Sequence, residues 1–290
     1  MRGLNGIPAK HVLQRLWAEI LADDVFGRSA QLAYYFFLAL FPFLIFVVAS
    51  LSVFGVADRG RGMLFAFFGR LFPPQAVNLI STTFTGIIKS SGPLKMSLGI
   101  VVSLWSSSLG MSAVMDTLNA AYKVRETRSL LKQYATAVAL TLIFAGLVIV
   151  SIMIVIAGDY VITALPLGKI AHTTWLIVEW PFSLIAILVA FAVLYYFAPN
   201  LAWRRWQWIT PGAVAGIIFM GVVSVGLRFY VRYSNTYTLT YGSLGAVIVL
   251  LLCFYVGGLA VLFGGVLNAV LDSLKSGEPV RYTPPKADAA

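Results

Sequence analysis

The chain has 290 residues, of which 60% are hydrophobic and only 11% charged, with a net charge of +10 and a mean hydropathy of +0.88. A soluble domain carries about 25% charged residues to keep its surface wet, so this composition excludes an ordinary water-soluble globule and points to lipid as the natural solvent. The positive balance suits cytoplasmic loops and anionic headgroups and does not require nucleic acid, while a single cysteine, Cys253, excludes an intrachain disulfide and a cysteine-based zinc site.

From the amino end, residues 1–29 form a segment of their own. Val12, Leu13, Leu16, Trp17, Ile20 and Leu21 alternate with Lys10, Arg15, Glu19, Asp23 and Asp24, the pattern of an amphipathic helix lying on the cytoplasmic face. No cleavable leader is expected, because the first long apolar run begins near Ala30 and is too long for one. A helix needs roughly 20 mainly apolar residues to cross the hydrocarbon core. Six stretches qualify, at about 30–56, 97–119, 133–157, 175–198, 209–230 and 243–271. The predicted fold is therefore all-α: a polytopic integral membrane protein whose six transmembrane helices occupy 30–271, with a disordered cytoplasmic tail over 272–290. Between the first two spans, residues 62–89 are apolar but broken by Pro73-Pro74, which predicts two short helices in an extracytoplasmic loop rather than a seventh span.

Orientation follows from Lys and Arg. With the amino terminus inside, the cytoplasmic segments hold Arg2, Lys10, Arg15, Arg28, Lys123, Arg125, Arg128, Lys132, Arg204, Arg205, Lys275, Arg281 and Lys286 of the 21 basic residues. The short loops 120–132 and 199–208 are basic and 158–174 is nearly neutral, so both termini are assigned to the cytoplasm of a bacterial inner membrane.

Candidate site residues come from polar groups inside the spans, which are costly in lipid without partners. Ser112, Asp116 and Asn119 follow i, i+4, i+7 spacing on the second span and define a candidate polar path. Interhelical hydrogen bonding is the competing account of the same residues. Glu179 and Arg228 reach similar depth from the outer side and form a candidate pair, with snorkelling to headgroups as the alternative. Tyr237 and Tyr241, between the last two spans, read as an interfacial aromatic anchor or a headgroup contact. Gly212 and Gly216 make a GxxxG, and Gly257-Gly258 recurs seven residues later as Gly264-Gly265, a spacing that keeps the glycines on one face for close helix packing.

No catalytic equipment is evident. His11 and His172 fall on opposite sides of the predicted membrane, the acidic residues are scattered, and HExxH, CxxC, GxSxG and GxxxxGK[ST] patterns are lacking. Phosphodiester hydrolysis needs metals held by clustered carboxylates or histidines. The reading is non-enzymatic, with no cofactor and no metal.

Several stretches together resemble the YihY/BrkB family of bacterial inner-membrane proteins. They are AQLAYYFFLALFP at Ala30–Pro42, LWSSSLGMSAVMDTLNAAYKVRE at Leu104–Glu126, LYYFAPN at Leu194–Asn200, ITPGAVAG at Ile209–Gly216, NTYTLTYGSLGAVIVLLL at Asn235–Leu252 and FGGVLNAVL at Phe263–Leu271. The resemblance implies six transmembrane helices and marks Asp116, Asn119, Tyr122, Pro199, Asn200, Pro211, Gly212, Tyr237, Tyr241, Gly242, Gly245, Gly265 and Asn268 as recurrent family positions. Arg228 departs from the uncharged text usual there. Members have carried the label ribonuclease BN, or been tied to serum resistance, lipopolysaccharide export or envelope integrity. The expected function is movement, or assisted movement, of a lipid or other amphiphilic substrate for envelope integrity. Membrane lipids and glycolipid headgroups are the expected partners, with a homo-oligomer or an envelope-protein partner as a further expectation. A scaffold without substrate and a membrane-associated ribonuclease are the alternatives.

The orientation makes a direct prediction. Reporter fusions within 123–132 and at 204–205 should score cytoplasmic and fusions within 73–89 extracytoplasmic; a transmembrane crossing by 62–89 would reverse everything after it.

Overall fold

The structure, a computed structural model, describes residues 8–53, 55–89, 93–164, 168–201, 207–233 and 243–276. These residues form nine helices and no strand: α1 (Ala9–Ala22), α2 (Val25–Val53), α3 (Ala57–Leu71), α4 (Pro74–Lys89), α5 (Pro93–Ala121), α6 (Leu130–Ala164), α7 (Gly168–Phe197), α8 (Pro211–Tyr233) and α9 (Ser243–Ser276). A membrane interior offers no water to unpaired backbone groups, so helices that satisfy their own hydrogen bonds are what an apolar chain of this kind must form. Six of the nine, α2 and α5 to α9, have 23 residues or more. At 1.5 Å per residue even the shortest extends about 34 Å, enough for a hydrocarbon core of roughly 30 Å.

Three stretches are both long and apolar enough to cross a membrane by length and composition: Val25–Leu51, Leu130–Ile154 and Leu244–Lys275. The serines that dilute α5 are handled within the helix itself. Ser107 Oγ donates to the Leu104 carbonyl at 3.1 Å and Ser108 Oγ to that of Trp105 at 2.7 Å, which makes both hydroxyls acceptable in an apolar setting. Val101, Val102, Leu131, Ile218 and Val222 are more than 60% exposed. Apolar side chains turned outward around a bundle are what a lipid-facing perimeter requires, and the fold is that of an all-α polytopic membrane protein.

Two apolar cores stack along the bundle. In the first, Leu16 and Ile20 of α1 pack with Leu32 of α2, Met115 and Leu118 of α5, and Leu262 and Val266 of α9. In the second, Leu44, Val47 and Leu51 of α2 meet Leu64 of α3, Ile80 and Phe84 of α4, Ile152 of α6 and Leu250 of α9. The two short helices expected around Pro73-Pro74 are α3 and α4, parted at Phe72 and Pro73, with Pro74 at the first helical position where a missing N–H costs nothing. Their inner faces are fully buried: Ile80 and Phe84 have no exposed surface. The hairpin thus fills the second core.

Polar connections gather at the opposite end, here the α1 end. It contains α1, the α5–α6 turn, residues 198–201 and the last turns of α9; Arg15 Nη1 of α1 donates to Ser273 Oγ of α9 at 3.4 Å. Helix α9 continues to Ser276, beyond the boundary of 271 expected for the last span.

The closest helix contact joins α8 to α9. A Cβ built on Gly212 would collide with the Gly264 carbonyl oxygen, and one on Gly264 with the Gly212 carbonyl and the Tyr195 hydroxyl. One turn along α8, a Cβ on Gly216 would lie 2.7 Å from the Ala260 carbonyl oxygen. Gly258 faces α2, with Leu32 Cβ and the Ser29 carbonyl both at 3.2 Å, and Gly265 faces Leu118 of α5 at 2.8 Å. The glycines of α9 therefore serve different neighbours: Gly264 meets α8, while Gly258 and Gly265 meet α2 and α5. Gly257 departs from the expected packing face, since a Cβ there meets nothing within 4 Å; adjacent helical residues point about 100° apart, so the pair cannot share one contact.

Gly212→Ala should force α8 and α9 apart and cost about 2–3 kcal/mol. Gly257→Ala should be neutral or slightly stabilising through helix propensity, worth about 0.5–1 kcal/mol. Melting temperatures of the two variants in the same detergent provide the comparison.

Candidate functional site

The α5 helix ends at Ala121 and turns through Lys123, whose φ of 52° lies in the left-handed region. Val124 N bonds the Asn119 carbonyl across this turn at 2.9 Å, and the chain re-enters helix at Leu130. Between them, Glu126 and Arg128 form a two-pronged pair: Nε to Oε1 at 2.8 Å and Nη2 to Oε2 at 2.7 Å. Arg128 Nη2 also donates to the Ala198 carbonyl at 3.0 Å, tying the α5–α6 turn to the end of α7. Asn119, 4% exposed, completes the knot. Its Nδ2 donates to Glu126 Oε2 at 2.9 Å and its Oδ1 accepts the Asn200 amide at 2.7 Å. Asn200 Nδ2 in turn reaches Thr127 Oγ1 at 2.7 Å. Burial favours a protonated Glu126, yet the hydrogen bonds from Arg128 and Asn119 outweigh it and hold the carboxyl below its ordinary range.

A second polar contact joins α8 and α9. Asn268 Oδ1 accepts the Gly212 amide at 2.8 Å and its Nδ2 donates to Thr210 Oγ1 at 3.1 Å, while Thr210 Oγ1 also accepts the Ala213 amide at 3.0 Å. These contacts cap the first turn of α8, whose amides have no carbonyl partner inside the helix.

The proposed path over Ser112, Asp116 and Asn119 is divided by the structure. Asn119 belongs to the knot just described. Asp116 is exposed on the seam between α5 and α6, where its Oδ1 accepts from Gln133 Nε2 at 3.0 Å. Next to Gln133, Tyr134 stacks on Trp105 of α5, with ring centroids 5.6 Å apart and planes 11° from parallel. Ser112, one turn below Asp116, has a buried hydroxyl without a hydrogen-bond partner. The i, i+4, i+7 spacing covers an arc of the helix rather than a line, and neighbouring elements lie over only one side of it. Glu179 and Arg228 lie on α7 and α8, but their side chains are outside the described residues, as are Tyr237 and Tyr241 altogether.

Two features were missed by sequence reasoning. Arg128 counts there only as a loop charge, and Glu126 only as the end of the stretch Leu104–Glu126. An E-x-R in a turn is a recognisable signal for a short bidentate pair, but its partners Asn119 and Asn200 are set by tertiary structure. The other is an apolar cavity of about 140 Å³ between α1, α2, α8 and α9, lined by Leu16, Trp17, Phe26, Phe219, Leu259 and Phe263 among others. Leu13 and Trp17 in its lining are 66% and 57% exposed, so it is open to the outside of the bundle. Phe219 stacks on Phe263 at 5.3 Å within it. Nothing in the spacing of these residues announces a shared wall.

Helix α1 is held over this cavity by the pairing of Glu19 with Lys123. Lys123 contacts Glu19 directly and lies 3.9 Å from Asp23 Oδ1. Asp23 Oδ2 is buried without a hydrogen-bond partner, and Arg28 Nε donates to the Asp23 carbonyl at 2.9 Å. The following residue, Asp24, has φ 47° and caps α2 through Gly27 N at 3.2 Å. Among the described residues no group of three His, Cys, Asp or Glu side chains is placed to hold a metal ion.

The family model described as virulence factor BrkB matches residues 16–289. The ribonuclease-like protein YfkH of Bacillus subtilis is 32% identical over 275 residues, covering 91% of this chain and 96% of that protein. A UPF0761 membrane protein of Xanthomonas campestris is 27% identical over 272 residues, 93% of this chain and 63% of the relative. One from Stenotrophomonas maltophilia is 27% identical over 274 residues, with the same coverage. The chain thus spans less than two thirds of these longer relatives. No solved structure matches it.

Burial is the first cause that lifts the Asp23 carboxyl, to about 6, with Lys123 and Arg28 opposing and Glu19 reinforcing. A carboxyl raised on docking favours the docked helix fully below its ordinary value near 3.8, and that contribution is lost as pH rises through about 6. Asp23→Asn should therefore stabilise the protein near pH 7, by on the order of 2 kcal/mol. The gain should shrink toward pH 4. Paired melting curves of wild type and Asp23→Asn across this range test it.

Proposed function

The chain belongs to the virulence factor BrkB family, and we propose that it is a non-catalytic bacterial inner-membrane protein that moves, or helps to move, a lipid or other amphiphilic substrate. The carrying observation is the apolar cavity beneath α1. Its walls are apolar side chains from four helices, a lining that suits an apolar ligand. It opens beside the α1 end, where the Lys- and Arg-bearing segments 120–132 and α1 converge; an acyl chain in the cavity would leave its headgroup among these charges. The excess of basic residues in these short segments supports placing that end, and with it both termini, in the cytoplasm.

Among the described residues, nothing supports the activity that the ribonuclease-like name of the Bacillus relative suggests. Glu126 is locked by Arg128 and Asn119, Asp116 bonds Gln133, and Asp23 lies buried beside Lys123 at the end of α1. These carboxylates are committed singly to separate contacts and do not converge as phosphodiester chemistry with metal ions demands.

Leu259→Trp, which fills the cavity from α9, tests the proposal. In liposomes containing a fluorescent phospholipid, wild type should move lipid between leaflets. Leu259→Trp should reduce the rate about tenfold at an unchanged melting temperature. Equal rates with and without wild-type protein would favour a scaffold. RNA cleavage that survives purification and disappears on substitution of one acidic residue would favour the nuclease.

A further inference from the structure

Asp116 is a carboxylate with no cation paired to it among the described residues. It is exposed on the perimeter of the bundle, five residues before the end of α5. Among the described residues it forms no ion pair, and its one hydrogen bond is the neutral amide of Gln133 at 3.0 Å. A carboxylate near the end of a membrane helix ordinarily has a partner of opposite sign, and among the described residues none is paired with it. Arg128, the cation whose field reaches Asp116, is spent on Glu126 and the Ala198 carbonyl. An inorganic divalent ion is a poor match, because a single carboxylate is far short of the six or more oxygens such ions gather. An ammonium needs only one carboxylate.

The surface below Asp116 continues the same face. Trp105 precedes it by eleven residues, three helical turns. Trp105 and Tyr134, stacked against each other, are 57% and 39% exposed, and Leu109 between these levels is 41% exposed. The seam thus presents a carboxylate above and an aromatic and aliphatic strip below. Lys132, next to Gln133, is also exposed and carries the sign that suits a phosphate. We propose that the α5–α6 seam, where Asp116 accepts from Gln133 beside the Trp105–Tyr134 stack, is a binding site for a phospholipid with a primary-amine headgroup. Its ammonium pairs with Asp116, its phosphate faces Lys132 and its glycerol and upper chains lie along the aromatic strip. The assignment rests on the lipid-handling reading and names its headgroup class, but it uses a surface separate from the cavity beneath α1.

The test reads headgroup selectivity rather than lipid movement. Purified full-length protein is exchanged into detergent micelles holding equimolar phosphatidylethanolamine, phosphatidylcholine and phosphatidylglycerol, and lipids retained through gel filtration are quantified by mass spectrometry. Wild type should retain phosphatidylethanolamine about tenfold over phosphatidylglycerol, the scale of a charge-assisted hydrogen bond. Asp116→Asn keeps shape and the acceptor for Gln133 and should abolish this preference. Trp105→Leu should lower retention of all three lipids about threefold while preserving their ratio. Absence of headgroup preference in wild type, or a preference intact in Asp116→Asn, overturns the proposal. Displacement of the bound lipid by millimolar phosphorylethanolamine, which has no acyl chains, would reassign the seam to a soluble amine and overturn it too. Because Leu259→Trp is scored by lipid movement and Asp116→Asn by headgroup ratio, failure of one reading is distinguishable from failure of the other.

Discussion

Helix α9 meets α8 with almost no side chain between the two backbones, and much of the bundle is arranged around that contact. In lipid there is little hydrophobic gain from bringing two apolar helices together, so association depends on close packing and on hydrogen bonds between helices. The contact has both. Gly212 and Gly264 bring carbonyl groups against neighbouring α-carbons, and Asn268 spans the same place to bond the first turn of α8. With α8 held this near, the other faces of α9 remain available: Gly258 and Gly265 admit α2 and α5, Ser273 takes Arg15 from α1, and Leu250 closes on the α3–α4 hairpin.

Much of this architecture was legible from residue chemistry. Apolar runs of sufficient length defined the long helices, and Pro73-Pro74 marked the break between α3 and α4. The mix of apolar and charged residues marked α1 as amphipathic, though of its apolar residues Leu16 and Ile20 are buried while Leu13, Trp17 and Leu21 stay exposed. The GxxxG at Gly212 pointed to a close contact, though not to its partner at Gly264. Helical spacing says which residues share a face and never what covers it. This is why Asp116 and Asn119 came to different surroundings, and why Gly257 and Gly258 did as well. The cavity wall was illegible for the same reason: Trp17, Phe219 and Phe263 come from three helices, and only the packing of those helices makes them neighbours.

The relatives bear names of two kinds, a ribonuclease-like protein and membrane proteins. Glu126, Asp116 and Asp23 occupy three different environments: a bidentate pair with arginine, an exposed helix seam and a buried position beside Lys123 with an unpartnered oxygen. Each has a local physical account. The knot around Glu126 secures the ends of α5 and α7, Lys123 beside Asp23 pairs with Glu19 to hold α1 over an apolar hollow, and the seam is the one of the three turned outward toward lipid.

The burial of Phe84 against α9 bears on the order in which the bundle can be assembled. Phe84 and Ile80 enter the same core as Val249 and Leu250, which the ribosome supplies more than 160 residues later. Helix α1 likewise rests on α9, through an Arg15–Ser273 contact separated by 258 positions. Both ends of the bundle therefore remain incomplete until the final helix has been inserted, and during synthesis the hairpin and α1 must wait at the membrane interface with apolar faces uncovered. Contacts so distant in sequence close late. A chain halted before α9 would leave these two amphipathic elements without a core, a natural point for membrane quality control to recognise unfinished protein.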